Sequence, residues 1–318
     1  MNKRTQADLE EFSNLSTIRD LVRHAVSRFN EARLFFGHGN ASAWDEAVHL
    51  VLHTLHLPLD KLDPFLDARL TERERRSVFD VISRRIDERM PLAYLTGEAW
   101  LGDYRFKVDA RVIVPRSFIA ELLFERLAPW IAAPDDVKRV LDLCTGSGCL
   151  AIIAADAFPN ARVDAVDLSR DALDVARINV DDYGFGERVE LIESDLFERL
   201  EGRRYDLVIA NPPYVNDTSM AILPDEYRRE PRMALAGGAD GLDLVRRILD
   251  AAPRMLTAEG LLVVEIGHER SHVEAAFARL PITWLSTSGG DDAVFAVRAA
   301  DFPSSLAIGS STNRKRSR

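Results

Sequence analysis

The sequence is poor in the features that mark secreted, membrane and metal-binding proteins. It has only two cysteines, Cys144 and Cys149, close together in one apolar segment, so neither a disulfide framework nor a zinc site is expected. No apolar run approaches the roughly 18 residues that a membrane-spanning helix needs. The first residues are too charged for a signal peptide. We therefore expect a cytoplasmic protein with no bound metal and no membrane contact.

Positive charge is also scarce. The chain has 41 Lys and Arg against 51 Asp and Glu, a formal net charge of −10. Tight binding to bare nucleic acid normally requires a basic surface, so direct DNA binding is not expected. The negative electrostatic field of such a chain attracts a basic protein partner. A negative net charge can also be explained by solubility alone.

The first part of the chain has a helical pattern. Apolar residues recur at spacings of three and four, and Thr71 to Glu74 has the form of a capping box at a helix start. The pattern predicts helices over 15–36, 42–56 and 71–89.

Three histidines in this part, His49, His53 and His56, have the spacing of one helix face. They could be metal ligands, but no carboxylate or cysteine cluster completes such a site. We interpret them as ordinary helix residues.

Near residue 94 the pattern of apolar residues changes from helical spacing to short alternating runs, which indicates a domain boundary. Short alternating runs over 104–108 and 111–114 predict a β-hairpin linker, and an amphipathic helix is expected over 118–130. The predicted organisation is a helical domain (1–92), the linker (93–115), an α/β domain (116–302) and a Ser-rich, basic tail (303–318) that we expect to be disordered.

From Val140 onward strands and helices alternate, which predicts a parallel sheet with crossover helices. A tight turn at Gly289 to Asp291 predicts that the last two strands form an antiparallel hairpin. The strands are expected at 138–143, 162–167, 188–192, 205–210, 260–266, 282–287 and 292–298, and the helices between them near 148–157, 170–181, 240–256 and 269–279. Seven strands ending in a hairpin are typical of the doubly wound, Rossmann-like class I methyltransferase fold rather than of a dehydrogenase.

The loop after the first of these strands has the composition of a cofactor loop. Small residues let the backbone approach a ligand at the carboxyl end of the strand, where doubly wound folds bind. The candidate cofactor-binding residues are Asp142, Cys144, Thr145, Gly146, Ser147 and Gly148.

Acidic residues follow the next two strands. Asp167 stands 19 residues after Gly148, where a carboxylate commonly accepts hydrogen bonds from the ribose hydroxyls of an adenosine. It could instead cap the next helix, a role open to Ser169 as well. After the third strand, Asp195 could accept a hydrogen bond from an adenine amino group while Leu196 covers the ring, unless this is a plain strand exit.

The most specific motif is Asn211-Pro212-Pro213-Tyr214, directly after the strand over 205–210. The prolines hold the loop extended and have no N–H. The Asn211 amide and the Pro212 carbonyl can grip both hydrogens of a target –NH₂, and Tyr214 offers a flat face. Because an amide nitrogen is barely nucleophilic, orienting it and stabilising its developing charge can supply much of the acceleration.

With these motifs the chain resembles the HemK-like protein N(5)-glutamine methyltransferases over roughly residues 15–300. Further shared segments are Pro91 to Gly97, Val114 to Arg116, Glu230-Pro231 and Gly237 to Leu242. The resemblance implies S-adenosylmethionine as cofactor, held by Cys144 to Gly148, Asp167, Leu196 and Asn211, and a substrate held by Asn211, Pro212, Pro213 and Tyr214. The general pattern has glycine where Cys144 stands, so the sequence does not establish a left-handed backbone there.

Other segments are similar to the subgroup that modifies the 50S ribosomal protein L three. They are Phe36 to Gly39 with Ala43 to Ala47, Val114 to Ser117 with Ile119 to Leu122, Asp142 to Gly148, and Leu223 to Pro231. Because the catalytic loop contacts only the amide and cannot distinguish one glutamine from another, we expect the helical domain to select the substrate. Alternatives are a release-factor glutamine methyltransferase, which shares the catalytic residues, a DNA adenine-N6 methyltransferase and a non-catalytic ribosome-assembly factor.

Overall fold

The computed structural model describes residues 14–39 and 42–303. The predicted disordered tail lies outside them from residue 304 on. The chain divides into two compact units. The first unit contains residues 1–116 together with Leu223–Pro231, and the second contains Ser117–Ile222 and residues 232–318.

The first unit is helical at its start, as predicted, with shorter helices than the pattern indicated. The capping box at Thr71 is confirmed, since Thr71 and Glu74 exchange hydrogen bonds of 3.3 and 2.8 Å. His56 lies beyond the end of its helix with a φ of 56°, so the three histidines do not share one helix face. The elements are α1 (Ile18–Glu31), α2 (Ala43–Thr54), α3 (Glu72–Asp87), α4 (Leu92–Thr96), β1 (Glu98–Leu101) and β2 (Tyr104–Lys107).

The predicted β-hairpin is present, but the strand predicted over 111–114 is not one of its two strands. Strand β2 pairs with β1, with Leu101 opposite Tyr104, and residues 111–114 form no strand. A two-residue turn with Gly102 at a φ of 59° brings the strands together. The alternation over 111–114 reflects burial, because Val112 and Val114 are each 1% exposed.

The segment Leu223–Pro231 returns to the first unit and carries buried carboxylates. Glu226 is 3.4 Å from Arg85 and accepts a hydrogen bond of 3.1 Å from the Phe35 amide. Arg85 also pairs with Glu46; burial raises the pKa of Glu46, while the Arg85 guanidinium opposes this shift. The segment was predicted as part of the α/β domain.

A second buried carboxylate of this segment is Glu230. It makes two hydrogen bonds with Arg116, of 2.6 and 2.7 Å, and accepts one of 2.9 Å from the Val114 amide. Burial alone would raise its pKa, but His38 and Arg116 lower it to about 2. A bidentate pair of this kind holds the segment in register with the chain after the hairpin.

The second unit is built on the predicted seven-stranded sheet. The strands follow the order β10-β11-β9-β6-β3-β4-β5, parallel except for β11, which runs antiparallel to both of its neighbours. These strands are β3 (Arg139–Leu143), β4 (Arg162–Asp167), β5 (Val189–Glu193), β6 (Tyr205–Ala210), β9 (Leu256–Glu265), β10 (Thr283–Thr287) and β11 (Gly290–Arg298). The terminal hairpin and the doubly wound class I methyltransferase fold are confirmed.

Helices and one small parallel strand pair complete the second unit. The elements are α5 (Ile119–Phe124), α6 (Cys149–Ala157), α7 (Arg170–Asp182), β7 (Val215–Asn216), α8 (Asp217–Ala221), β8 (Ala236–Gly238), α9 (Asp243–Met255) and α10 (Arg270–Ala276). Helix α5 ends well before the predicted residue 130, because Arg126 and Leu127 have positive φ and Pro129 has no N–H. The elements β7, α8 and β8 were not predicted.

Candidate active site

The strand register brings the predicted site residues to one edge of the sheet. Leu143 at the end of β3 lies opposite Ala210 of β6 on one side and Val166 of β4 on the other. Val166 in turn lies opposite Ile192 of β5. Because these strands are parallel, the loops that follow all four of them begin at the same edge.

The loop between β3 and α6 has a left-handed backbone at three places. Cys144, Gly146 and Gly148 have φ values of 58°, 56° and 79°. The left-handed conformation is thus present at Cys144 without a glycine, at a steric cost that only glycine avoids. A Cβ on Gly148 would lie 3.1 Å from the Ala176 Cβ, whereas one on Gly146 would meet nothing within 4 Å. The open space over Gly146 fits the close approach of a cofactor to the backbone.

Asp142, predicted to bind the cofactor, is fully buried at the base of this loop. Its Oδ2 accepts a hydrogen bond of 2.5 Å from the Thr145 hydroxyl, and its Oδ1 has no hydrogen-bond partner among the described residues. Burial raises the pKa of Asp142 to about 7 despite the Thr145 hydroxyl. The geometry supports a role in holding the loop through Thr145, and direct cofactor binding by Asp142 stays a prediction.

Asp167 at the end of β4 ties two loops together. Its Oδ1 accepts a hydrogen bond of 2.8 Å from the Ser169 amide, and its Oδ2 accepts one of 2.9 Å from the Gly146 amide. Burial raises its pKa, while these hydrogen bonds oppose the shift. Helix α7 is capped by Ser169, whose hydroxyl accepts from the Ala172 amide. The capping alternative for Asp167 is therefore wrong, and the ribose contact stays a prediction.

Asp195 has a partner that the sequence analysis missed. Its Oδ1 lies 2.9 Å from Nη2 of Arg247 on α9. The adjacent Leu196 is buried and has a φ of 50°. No sequence signal connects Asp195 with Arg247, which is 52 residues away. If Asp195 accepts a hydrogen bond from an adenine amino group as predicted, its carboxylate binds both that amino group and the Arg247 guanidinium.

The loop Asn211 to Tyr214 starts at the end of β6, and three glycines surround its tyrosine. A Cβ on Gly237 would lie 2.7 Å from the Tyr214 Cα, one on Gly267 would lie 2.6 Å from the ring, and one on Gly241 would overlap the Tyr214 carbonyl oxygen. Each glycine thus leaves room that any side chain would fill. Gly237 and Gly241 belong to a segment singled out in the sequence, whereas Gly267 was missed.

The continuation of this loop is held by hydrogen bonds. The Val215 amide donates to the Leu235 carbonyl over 2.8 Å, and the Asn216 side chain donates to Glu269 over 2.7 Å. Glu269 is nearly buried and also lies 2.5 Å from Nδ1 of His272. These hydrogen bonds fix the segment that follows Tyr214, which suits the predicted orientation of a target –NH₂ by Asn211 and the Pro212 carbonyl.

Other chemistries have less support. Burial raises the pKa of both thiols, that of Cys149 to about 12, so neither cysteine is a ready nucleophile. Within the described parts of the chain, no group of three or more His, Cys, Asp or Glu side chains is arranged to hold a metal ion. None of the described helices combines the length and the apolar character needed to cross a membrane.

Part of the chain matches a known protein family. Residues 120–223 match the family model described as methyltransferase small domain. Among solved structures, the ribosomal protein L11 methylase of Lactobacillus delbrueckii subsp. bulgaricus is 21% identical with a TM-score of 0.38, over 57% of this chain and 75% of that one.

Curated relatives match over nearly the whole chain. The ribosomal protein uL3 glutamine methyltransferase of Burkholderia pseudomallei is 62% identical over 294 residues, 90% of this chain and 96% of that protein. The protein of the same name from Bordetella pertussis is 63% identical over 280 residues, 88% and 94% of the two chains. This protein is thus an S-adenosylmethionine-dependent methyltransferase, and it belongs to the family of ribosomal protein uL3 glutamine methyltransferases.

Proposed function

We propose that this protein transfers a methyl group from S-adenosylmethionine to the side-chain amide nitrogen N5 of a glutamine in ribosomal protein uL3, the L three protein of the 50S subunit. The observation that carries the proposal is the fixed loop Asn211 to Tyr214 at the sheet edge where the cofactor loop also begins. Identities of about 60% to relatives that carry this name support the choice of substrate.

The loop supplies what a poorly nucleophilic amide needs. The bound cofactor supplies an electrophilic methyl group on a sulfonium. Asn211 accepts one amide hydrogen through its side-chain oxygen, and the Pro212 carbonyl accepts the other, which turns the nitrogen toward the methyl group. The ring of Tyr214 supports the planar amide.

The same acceptors stabilise the charge that develops during transfer. As the nitrogen forms its new bond to carbon, positive charge grows on the N–H groups that face Asn211 and Pro212. Acceptors already in place strengthen their hydrogen bonds at that moment without reorganising, and this is a large source of catalysis. The C–N bond forms as the sulfonium S–C bond breaks, which leaves the neutral thioether S-adenosylhomocysteine, and the surplus N–H proton is then released to water.

Recognition of the rest of the substrate is assigned to the first unit. The loop reads only an amide, so it cannot tell one glutamine from another. The net charge of −10 suits a basic ribosomal protein in the cytoplasm. Transfer at subsaturating substrate should therefore slow as salt rises.

Three alternative functions have less support than methylation of uL3. A release-factor enzyme would use the same catalytic loop, so only substrate selection separates it from the proposal. DNA adenine methylation would require a basic surface that the charge balance does not provide. A non-catalytic assembly factor would have no need for the glycines packed around Tyr214.

The test compares kcat/KM for purified uL3 and a purified peptide-chain release factor at the same salt, with the methylated residue identified by mass spectrometry. We expect uL3 to be preferred by at least about tenfold, with N5-methylglutamine as product. A tenfold preference for the release factor would overturn the choice of substrate and leave the glutamine chemistry intact. Absence of transfer to either protein, despite cofactor binding, would favour the assembly factor.

A further inference from the structure

The first unit contains a cavity of about 360 Å³ between its helices and the β1–β2 hairpin. Every residue of its wall belongs to the first unit, and none of them belongs to the predicted cofactor loops. Its volume is at the lower end of the range of about 300–1,000 Å³ for small-ligand sites. A cavity of this size can accept a single long side chain.

One wall of the cavity is an exposed aromatic ring. Trp100 lies on β1, lines the cavity and remains 45% exposed. Tryptophan is a costly residue to leave in water, and its flat face is the preferred surface for stacking a planar or cationic group. Trp44 on α2 is 51% exposed in the same unit without lining the cavity, which makes it a natural control.

The polar part of the wall combines two histidines, His38 and His49, with two carboxylates. It contains the exposed carboxylate of Asp60 and the nearly buried carboxylate of Glu98. The Glu98 oxygens are 3.6 Å from His53 Nε2 and 3.4 Å from Arg105 Nη1. Arg105 is half exposed, and Lys107 lies opposite Glu98 across the hairpin. Asp60 is therefore the carboxylate of the wall that has no ion-pair partner among the described residues.

A histidine adds an unsatisfied polar atom to the wall. His49 lines the cavity, and its buried Nε2 has no hydrogen-bond partner among the described residues. Burial, followed by the neighbouring His53, lowers the pKa of His49, so this ring is neutral near pH 7 and adds no positive charge. A buried polar atom without a protein partner is uncommon in native structures, and it offers a hydrogen-bonding site to a ligand or a water.

We propose that this cavity binds an arginine side chain of the protein substrate, stacked on Trp100 and hydrogen-bonded to the carboxylates of Asp60 and Glu98. A guanidinium combines a flat face with donors spread around its edge, so it can use the ring and the acceptors together. A lysine would match the charge but not the stacking. This inference rests on the proposed function, because a basic ribosomal protein is the substrate that offers such a residue.

The first experiment tests the cavity without methyl transfer. N-acetyl-arginine amide is titrated into the ¹⁵N-labelled full chain, and the indole N–H resonances are followed, with those of Trp100 and Trp44 assigned from Trp100→Phe and Trp44→Phe. We expect a saturable shift of Trp100, no shift of Trp44, and at least threefold weaker binding in Asp60→Asn. The lysine analogue should bind more weakly, and the glutamine analogue should not bind. Absence of a saturable Trp100 shift, or an equal response to the glutamine analogue, would overturn the proposal.

The second experiment measures methylation of purified uL3. Trp100→Ala should raise KM at least fivefold, with kcat and the Kd for S-adenosylmethionine within twofold of the wild type, because a remote contact contributes equally to ground-state and transition-state binding. Trp44→Ala should stay within twofold in all three. Equal behaviour of the two variants would refute a substrate role for the cavity.

Asp60→Asn provides a variant whose exposed side chain puts little of the fold at risk, and its KM should rise in parallel with its loss of arginine binding. An unchanged KM would again refute the substrate role. If uL3 is not methylated even by the wild type, the proposed function fails, while the arginine titration still decides whether the cavity binds a guanidinium.

Discussion

At the residue scale, Asp167 connects the cofactor loop with helix α7 through the amides of Gly146 and Ser169. We predict that Asp167→Ala weakens S-adenosylmethionine binding by roughly 1.5–3 kcal/mol, because the charge-assisted hydrogen bonds to the ribose hydroxyls are lost. Calorimetric titration of the folded variant measures this change. Asp182→Ala, an exposed aspartate at the far end of α7, is the control and should bind normally. An unchanged Kd in Asp167→Ala would remove this residue from the site.

Asn211 acts on the acceptor nitrogen rather than mainly on the cofactor. We predict that Asn211→Ala lowers the single-turnover rate of methyl transfer at least about 10²-fold. Cofactor affinity should fall only modestly, and the free energy of unfolding should be unchanged. Asn160→Ala alters an exposed asparagine just before β4, at the opposite edge of the sheet, and should transfer at the normal rate. Transfer near the wild-type rate in Asn211→Ala would rule out the amide-gripping mechanism.

At the element scale, the turn between β9 and α10 shapes the catalytic loop. Gly267 has a φ of 54°, and a Cβ there would lie 2.6 Å from the Tyr214 ring. We predict that Gly267→Ala displaces the ring and lowers kcat at least about tenfold, with the Kd for S-adenosylmethionine within threefold. Steady-state kinetics and calorimetry together make this measurement.

Gly184 provides a matched control for this substitution. Its φ is 70°, and a Cβ there would meet nothing within 4 Å. Both alanine variants should lose about 1–2 kcal/mol of stability, since each forces a left-handed backbone on a residue with a side chain. Only Gly267→Ala should lose activity. Equal kcat values for the two variants would show that the contact with Tyr214 does not position the ring.

At the scale of the whole molecule, the first unit is assembled from two separate stretches of chain. Glu226 in Leu223–Pro231 is 3.4 Å from Arg85, although 141 residues separate them. We predict that a chimera carrying residues 1–90 of a release-factor enzyme without an arginine at the place of Arg85 loses about 3–5 kcal/mol of stability, because the buried carboxylate of Glu226 is left without its partner. Urea denaturation of the chimera and the parent protein measures the loss.

A chimera that exchanges residues 1–116 together with Leu223–Pro231 keeps each buried pair within one parent. It should retain the stability of the parent and the Kd for S-adenosylmethionine, and its kcat/KM should shift from uL3 toward the release factor. Stability equal to that of the first chimera would show that the segment does not belong with the helices. Unchanged substrate preference would show that recognition lies elsewhere.

Local sequence patterns alone determined the sheet and the main chemistry. The strands could be predicted because a buried parallel strand is a short continuous apolar run. The helices on either side differ from it, since their apolar residues recur at spacings of three and four. The loop Asn211 to Tyr214 could be predicted because proline restricts its own backbone and the amide's hydrogen-bonding groups belong to the residue itself. The stretch over 111–114 shows the limit, since its alternation reflected burial rather than strand pairing.

Tertiary structure decided which distant residues meet. Arg247 reaches Asp195 only because the fold brings this residue of α9 next to the loop after β5. Glu226 reaches Arg85 only because the chain returns to the first unit. Gly267 matters because β9 runs beside β6 and ends next to Tyr214. Ion pairs and steric contacts depend on distances of a few ångströms, which follow from the path of the chain and not from spacing along it.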